Sequence, residues 1–180
     1  AAAGGVGQLL VQLAKVCGAT VIATVGNDAK AAIAKSLGAD HVIVYGREDF
    51  LKRTLEITGG QGCHVVYDSV GKDTLARSIA ATRRRGLVVS YGNASGMPDN
   101  VSPMALADAG SVFFTRPRLG DYMQDVSEIR SRIGDLFQGM RNRRLKVSID
   151  RIWQLAEARE AHETLEGRGS QGKLLLKALG

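Results

Sequence analysis

The sequence has little of what marks several classes of protein. Its 180 residues include only two cysteines, three prolines and 5% aromatic residues. Cys17 and Cys63 stand apart and form no CxxC pair, which excludes a disulfide framework and is typical of a reducing cytoplasm. No apolar run approaches the roughly 20 residues that a membrane-spanning helix needs. We therefore expect a cytoplasmic protein that does not bind membranes.

The chain is basic, with 24 Lys and Arg residues against 18 Asp and Glu residues. The surplus is concentrated in 83–85 and 141–146. Such a balance is compatible with nucleic acid, a membrane surface or a phosphorylated small molecule, while the alternative is a solvated face. The few aromatic side chains leave little for base stacking, so we expect no nucleic-acid partner. The three histidines are scattered and match no zinc-ligand spacing, which predicts no metal site in this chain.

The spacing of apolar residues alternates between helical and extended patterns. It predicts helices over 6–16, 29–37, 49–58, 73–81, 104–109, 121–143 and 156–166. It predicts strands over 20–25, 41–45, 63–71, 86–92, 111–115, 147–155 and 173–179. This alternation predicts an α/β fold with a Rossmann-type, doubly wound parallel sheet. We place a boundary near Leu145, with a Rossmann domain over 1–145 and a C-terminal segment over 146–180.

The stretch AAAGGVG immediately precedes the first predicted helix. Ala2, Gly4 and Gly7 follow the spacing of the dinucleotide fingerprint, with alanine in the first position. In that motif the small residues allow a tight turn, an approach of backbone to pyrophosphate, and close packing of helix on strand. The free N–H groups of the helix would face the phosphates. The alternative is a glycine turn that serves helix packing alone.

The residues after the strand predicted over 20–25 favour NADP over NAD. An NAD site generally has Asp or Glu at that strand end, whereas this chain has Val25, Gly26 and Asn27. Asp28 follows and is predicted to be the N-cap of the next helix. Lys30, one turn further on, offers positive charge for a 2′-phosphate, although an ordinary surface lysine is the alternative.

Several motifs occur together and in order: AAAGGVG, TVGNDAKA, VVYDSVGKDT, RRRGLVVSYGNASG, FFTRP and AHETLEGRGSQGKLLL. Over essentially the whole chain they resemble zinc-independent quinone oxidoreductases, the zeta-crystallin-like branch of the medium-chain dehydrogenase/reductase superfamily. The resemblance implies NADPH-dependent reduction of quinones or other activated enones by hydride transfer. It also implies a homodimer formed at the strand over 111–115. An enoyl-thioester reductase of the same superfamily and a nucleic-acid-binding protein without turnover remain alternatives.

The resemblance assigns cofactor-binding functions to individual residues and leaves the catalytic residues unassigned. The residues expected at the pyrophosphate are Gly4, Gly5, Val6 and Gly7. Those expected around the 2′-phosphate are Gly26, Lys30, Tyr45 and Arg168, with Ser69 near the adenosine. Those expected at the nicotinamide half are Gly92, Asn93, Ser95, Phe113, Thr115 and Arg116. Turn chemistry is the alternative for Asn93 and Ser95, and strand termination is the alternative for Arg116.

The resemblance also implies parts that this sequence does not contain. Family members have a GroES-like catalytic domain followed by the first, central Rossmann strand. We therefore expect the chain to be a portion of a longer enzyme, inactive alone, with 146–180 belonging partly to the absent domain. The strands over 20–25 and 63–71 are expected to lack the partner strand that they would share.

Overall fold

The computed structural model describes residues 1–167 and 170–178. The chain divides into two compact units. The first unit comprises Ala1–Gly46 and Ile133–Gly180, and the second comprises Arg47–Arg132. None of the described helices is long and apolar enough to span a membrane.

The first unit begins with two alternations of helix and strand. Its elements are α1 (Gly5–Val16), β1 (Ile22–Val25), α2 (Asp28–Ser36), β2 (His41–Val44), β6 (Ile149–Gln154), α7 (Ala158–Glu166) and β7 (Lys173–Lys177), and helix α6 (Val126–Arg141) leads into its second segment. Strands β1 and β2 pair in parallel from Ile22↔His41 to Val25↔Val44. Strands β6 and β7 form a separate parallel pair. Small apolar side chains fill the core, which contains Ala2, Ala3, Val11, Ala23, Val25, Ala34, Ala39 and Val44.

The second unit contains a three-stranded parallel sheet in the order β3-β4-β5. Its elements are α3 (Phe50–Ile57), β3 (Cys63–Asp68), α4 (Leu75–Ala80), β4 (Thr82–Ser90), α5 (Pro103–Asp108) and β5 (Phe113–Thr115). Its core is formed by Leu75, Ile79, Val88 and Val112. Parallel strands joined by helices in both units confirm the predicted α/β class.

Each of the two strands predicted to lack a common partner has one neighbouring strand among the described residues, and on the other edge of β1 Ala2 N donates to Thr24 O at 3.0 Å. Within residues 1–167 and 170–178, β1 pairs with β2 only and β3 pairs with β4 only. Although parallel strands are usually covered on both faces, Val65 and Tyr67 of β3 are 41% and 53% exposed.

Several element boundaries differ from the sequence predictions; β3, for example, ends at Asp68 rather than at 71. Helix α6 begins at Val126 rather than at 121, because Leu119–Tyr122 forms a 3₁₀ turn. The Asp125 carboxylate then accepts a hydrogen bond from Ser127 N at 2.6 Å. Strand β4 begins at Thr82 rather than at 86, so the three arginines of 83–85 lie within it and are exposed. Strand β1 begins at Ile22 rather than at 20.

The predicted N-cap of α2 is wrong by one residue. Asn27, not Asp28, has the extended backbone of an N-cap, and its Oδ1 accepts a hydrogen bond from Lys30 N at 2.9 Å. Asp28 is the first residue of the helix, where its negative charge interacts favourably with the positive end of the helix dipole and stabilises the helix. Asparagine is as good a cap as aspartate, so the residue types alone could not decide between them.

Candidate functional site

A glycine turn leads into α1 in the first unit. Gly4 is the N-cap of the helix, no side chain caps it, and no acidic residue stands in its first turn. The first N–H groups of a helix have no intrahelical acceptor, and the helix dipole adds partial positive charge at this end. The turn formed by Gly4, Gly5, Val6 and Gly7 therefore has the chemistry of an anion site.

The positions of this turn differ in whether they could accept a side chain larger than that of glycine. A β-carbon on Gly7 would lie 2.2 Å from the Ala1 carbonyl oxygen and 2.8 Å from Ala2 Cα, so only glycine fits there. A β-carbon on Gly4 would meet only the Ala1 oxygen at 3.6 Å, an ordinary contact. Close packing against Ala1 and Ala2 thus explains why position 7 must be glycine. Packing does not require glycine at position 4, where a β-carbon would make only one ordinary contact.

Lys173 adds positive charge beside the same turn, and the sequence analysis did not identify it. Its Nζ lies 3.5 Å from the position that a β-carbon would occupy on Gly5. An ammonium close to the positive end of a helix dipole is electrostatically unfavourable unless an anion lies between them. Lys173 stands within the quoted motif AHETLEGRGSQGKLLL but was not singled out, because only the folded structure shows this proximity.

Gly26 and Tyr45 meet at the carboxyl ends of β1 and β2. Tyr45 N donates to the Val25 carbonyl oxygen at 3.1 Å, which continues the pairing of the two strands. The Tyr45 hydroxyl lies 3.0 Å from the position of a β-carbon on Gly26. Lys30 follows in the first turn of α2, where Asn27 caps its backbone N–H. The structure therefore places these three predicted residues at one end of one strand pair and the helix that follows it.

In the second unit, Asp68 organises the loop after β3. Its carboxylate is buried, with the residue 4% exposed. One oxygen accepts from Val70 N and Gly71 N, both at 2.9 Å. The other accepts from the hydroxyls of Thr74 at 2.8 Å and Ser78 at 2.6 Å. Asp68 was quoted within a motif but not singled out, although an acidic residue that ends a buried strand before small residues is a typical sign of such a turn.

The loop after β3 is joined to the loop after β4. Ala94 N donates to Ser69 O at 3.1 Å, and Ser95 N donates to Val70 O at 2.8 Å. The Ser95 hydroxyl also donates to Val70 O, at 2.8 Å. A β-carbon on Gly92 would lie 2.5 Å from the Ser69 carbonyl oxygen, so this approach requires glycine. Three predicted residues, Ser69, Gly92 and Ser95, therefore share one tightly joined pair of loops.

Tyr91 belongs to the same loops and was missed by the sequence analysis. Burial raises the pKa of Tyr91, and the negative charge of Asp68 adds to this effect. A hydrogen bond with the Ser69 side chain acts in the opposite direction on the pKa. Since burial is the largest of these effects, the pKa of Tyr91 is raised overall, and Tyr91 stays neutral at neutral pH.

Arg116 reaches back from the end of β5 to the end of β4. Its Nη1 donates to Ser90 O at 2.9 Å. In the orientation of the Asn93 amide that satisfies both of its polar groups, the oxygen accepts from Arg116 Nη2 at 3.2 Å and the nitrogen donates to Gly92 O at 2.7 Å. On β5 itself, Thr115 is half-buried, while Phe113 is 65% exposed.

Two further predictions concern Arg168 and metal binding. Arg168 lies outside the described residues.

In the described ranges, up to 167 and from 170 to 178, no three His, Cys, Asp or Glu side chains come together to hold a metal ion.

Comparison with known proteins identifies the family. The model of the family described as "Zinc-binding dehydrogenase" matches residues 5–131. Quinone oxidoreductase 1 of Escherichia coli is 44% identical over 178 residues, which cover 98% of this chain and 54% of that protein. A 2-haloacrylate reductase of a Burkholderia species is 44% identical over 177 residues, covering 98% of this chain and 53% of that protein. The chain thus spans about half the length of the curated relatives it matches.

The solved structures agree with the sequence comparisons. The structure of Escherichia coli quinone oxidoreductase complexed with NADPH superposes with a TM-score of 0.94 and 44% identity, covering 99% of this chain and 55% of that one. The chain belongs to the zinc-binding dehydrogenase family. Within the family it is similar to quinone oxidoreductases, which confirms the resemblance drawn from the motifs.

Proposed function

We propose that this chain supplies the NADP-binding part of an enzyme that reduces quinones or other activated alkenes. The observation that carries the proposal is the approach of the Tyr45 hydroxyl to Gly26 at a strand end where residues 25–27 include no carboxylate, with Lys30 in the first turn of the helix that follows. An acidic side chain there would repel a 2′-phosphate, whereas a hydroxyl and an ammonium can both donate to it. The similarity to NADPH-complexed Escherichia coli quinone oxidoreductase supports the same cofactor.

The residues of the first unit fit the phosphates of the proposed cofactor. The uncapped start of α1 offers N–H donors, and the space beside Gly4 lets a pyrophosphate approach the backbone. Lys173 supplies the counter-charge. We propose that Gly4, Gly5, Val6 and Gly7 hold the pyrophosphate, that Gly26, Lys30 and Tyr45 hold the 2′-phosphate, and that Arg168 also reaches it.

The loops of the second unit offer a second set of polar groups. We propose that Ser69 lies near the adenosine, and that Gly92, Asn93, Ser95, Phe113, Thr115 and Arg116 lie near the nicotinamide half. The tight joining of the loops after β3 and β4 supports this assignment, because binding needs donors and acceptors held in fixed positions. NADPH would supply the hydride, while the residues of the chain would bind and orient the cofactor and exclude water.

The substrate class rests on the relatives. Quinone oxidoreductases and a 2-haloacrylate reductase match this chain at similar identity, so an activated C=C or C=O bond is the common element that we propose. A haloacrylate is the second candidate, favoured by the Burkholderia relative. An enoyl-thioester reductase remains the alternative. The rates of NADPH oxidation with quinones, haloacrylates and enoyl thioesters distinguish these three substrate classes.

We further propose a homodimer in the cytoplasm, with the Rossmann domain over 1–145 and the C-terminal segment over 146–180. Strand β5 supports the dimer, because it lies at the edge of its sheet and Phe113 is 65% exposed. Cys17 and Cys63 are free thiols, which suits a reducing compartment. Sedimentation of wild type and Phe113→Lys tests the dimer, since a charge on this edge should favour the monomer.

The cofactor assignment is tested by the charge at position 30. Lys30→Glu should weaken NADPH binding roughly tenfold or more, the size of one charge-assisted contact, and change NADH binding much less. Lys35→Glu is the matched control, because Lys35 is exposed in the last turn of the same helix. Cofactor titrations followed by nicotinamide fluorescence measure both. An equal loss for the two cofactors would show that Lys30 does not bind the 2′-phosphate.

A further inference from the structure

A second charged groove lies in the first unit, at the far end of α1 from the glycine turn. Its volume is 370 Å³, and it is lined by residues of α1, of α2 and of the segment after α6. Lys15 and Val16 in its lining are ten or more residues beyond Gly5 on α1. At a rise of about 1.5 Å per residue, these two residues lie about 15 Å along the helix from the turn, while Gln12, also in the lining, lies nearer to it.

The ammonium of Lys15 is paired with Asp40, so Lys15 adds no net charge to the groove. It donates to both carboxylate oxygens of Asp40, at 2.9 and 2.8 Å, and to the Ala19 carbonyl oxygen at 3.0 Å. These bonds use all three of its N–H groups. What Lys15 offers the groove is therefore its hydrocarbon stem, which lies beside the apolar side chains of Val16 and Leu37.

Arg144 and Lys146 supply positive charge that no carboxylate balances. Within the described part of the chain, neither of their side chains forms a salt bridge or a hydrogen bond. The negative charge beside them is the partial charge at the C-terminal ends of α1 and α2, whose last residues Val16 and Ser36 line the groove. The two cations thus stand on one side of the groove without a carboxylate partner.

The backbone that carries these cations is held in place. Gln12, which is 8% exposed, accepts from Lys146 N at 2.7 Å and donates to Lys146 O at 2.9 Å. Arg144 N donates to Gly139 O at 2.9 Å. Between Arg144 and Lys146, the Leu145 side chain is buried. Two cations on a fixed backbone lose less entropy on binding than two on a loose tail.

We propose that this groove binds a phosphate monoester with a small apolar body. A dianionic phosphate matches two unbalanced cations, one of them an arginine whose planar fork fits phosphate oxygens. The hydrocarbon lining of Lys15, Val16 and Leu37 suits an apolar group attached to that phosphate. The groove contains neither the glycine turn nor the residues around Tyr45. Lys146 also lines the small pocket beside Gly5 and Lys173, whereas Arg144 lines this groove and not that pocket.

The test uses 1-naphthyl phosphate as probe and calorimetric titration of the whole protein. The double variant Arg144→Gln/Lys146→Gln should weaken binding tenfold or more. Arg130→Gln/Arg141→Gln is the matched control, since it removes the same charge from exposed residues of α6 outside the groove, and it should change affinity less than threefold. Val16→Glu should also weaken binding, because it adds negative charge to the lining without removing a cation.

Several outcomes would overturn the proposal. Equal losses in both double variants would show attraction to a general basic face. Displacement of 1-naphthyl phosphate by NADPH would show that the probe binds in the cofactor site. Equally tight binding of neutral 1-naphthol would show that the phosphate group does not contribute to binding. Unchanged affinity in Val16→Glu would show that the groove is not the site. None of these results depends on the effect of Lys30→Glu, so this proposal and the proposed function can fail separately.

Discussion

The hydroxyl of Tyr45 lies 3.0 Å from the point where a β-carbon would stand on Gly26. This separation is shorter than an ordinary van der Waals contact between a methyl group and an oxygen. Glycine at position 26 therefore leaves room for the phenol at the end of the neighbouring strand. Because Tyr45 is 53% exposed, its ring can move aside if that room is taken, so the contact determines where the hydroxyl lies more than whether the protein folds.

Gly26→Ala should weaken NADPH binding while leaving stability nearly unchanged. The added methyl displaces the Tyr45 hydroxyl from its place beside the proposed 2′-phosphate site. We expect a loss of affinity of roughly fivefold to tenfold, the size of one net hydrogen bond, measured by fluorescence titration alongside thermal unfolding. Tyr45→Phe alone should cost about the same. In the double variant the two losses should not add, because they remove one interaction; additive losses would contradict this explanation.

Gly92→Ala should destabilise the protein through the loops of the second unit. Its methyl would stand 2.5 Å from Ser69 O and 2.9 Å from Ser69 Cα, both backbone atoms that cannot rotate away. We expect a cost of about 1–3 kcal/mol, as for other overpacked sites, measured as a lower denaturant midpoint. Gly120→Ala is the control, because a β-carbon there meets nothing within 4 Å. Similar losses in the two variants would show that the loops can separate without cost.

The sequence was sufficient to predict the features that depend on local pattern. The alternation of apolar periods predicted every described helix and strand, and glycine spacing predicted the turn before α1. Gly26 and Tyr45 were identified through a family resemblance, yet their contact depends on the register of β1 against β2, which places Val25 opposite Val44. That register is a tertiary property, so residue spacing along the chain could not show it.

Other features depend on contacts between residues distant in sequence. Lys173 reaches the glycine turn only because β7 packs near α1, more than 160 residues away along the chain. The start of α6 was predicted too early, at 121, whereas the Asp125 carboxylate caps the helix, which begins at Val126. Where several residues of a segment could cap the same helix, the path of the preceding backbone determines which one does. The amino-acid composition of the segment carries no information on that path.

Asp68→Ala should destabilise the second unit more than Asp68→Asn. The alanine variant leaves four donors without their acceptor, those of Val70, Gly71, Thr74 and Ser78. Asparagine keeps one oxygen for the two backbone N–H groups, and its amide can donate to hydroxyls that rotate to accept. We expect the alanine variant to lose about 2 kcal/mol more than the asparagine variant, measured by denaturant unfolding. Equal losses would mean that the charge of Asp68, rather than its hydrogen bonds, stabilises the loop.

The Lys15–Asp40 ion pair should give stability that depends on pH in the acidic range. The hydrogen bond from Lys15 lowers the pKa of Asp40 below its usual value of 3.8, and the backbone N–H of Val21 lowers it further. A carboxylate with a lowered pKa in the folded state stabilises the fold above its unfolded pKa, and that contribution is lost as pH falls through the folded value. The thermal midpoint of wild type should therefore exceed that of Asp40→Asn at pH 7 and converge with it below pH 3.8. Lys15→Met, which retains the hydrocarbon stem, should reduce the pH dependence of this difference. A difference between wild type and Asp40→Asn that stayed constant down to about pH 2 would show that the ionised carboxylate contributes nothing to stability.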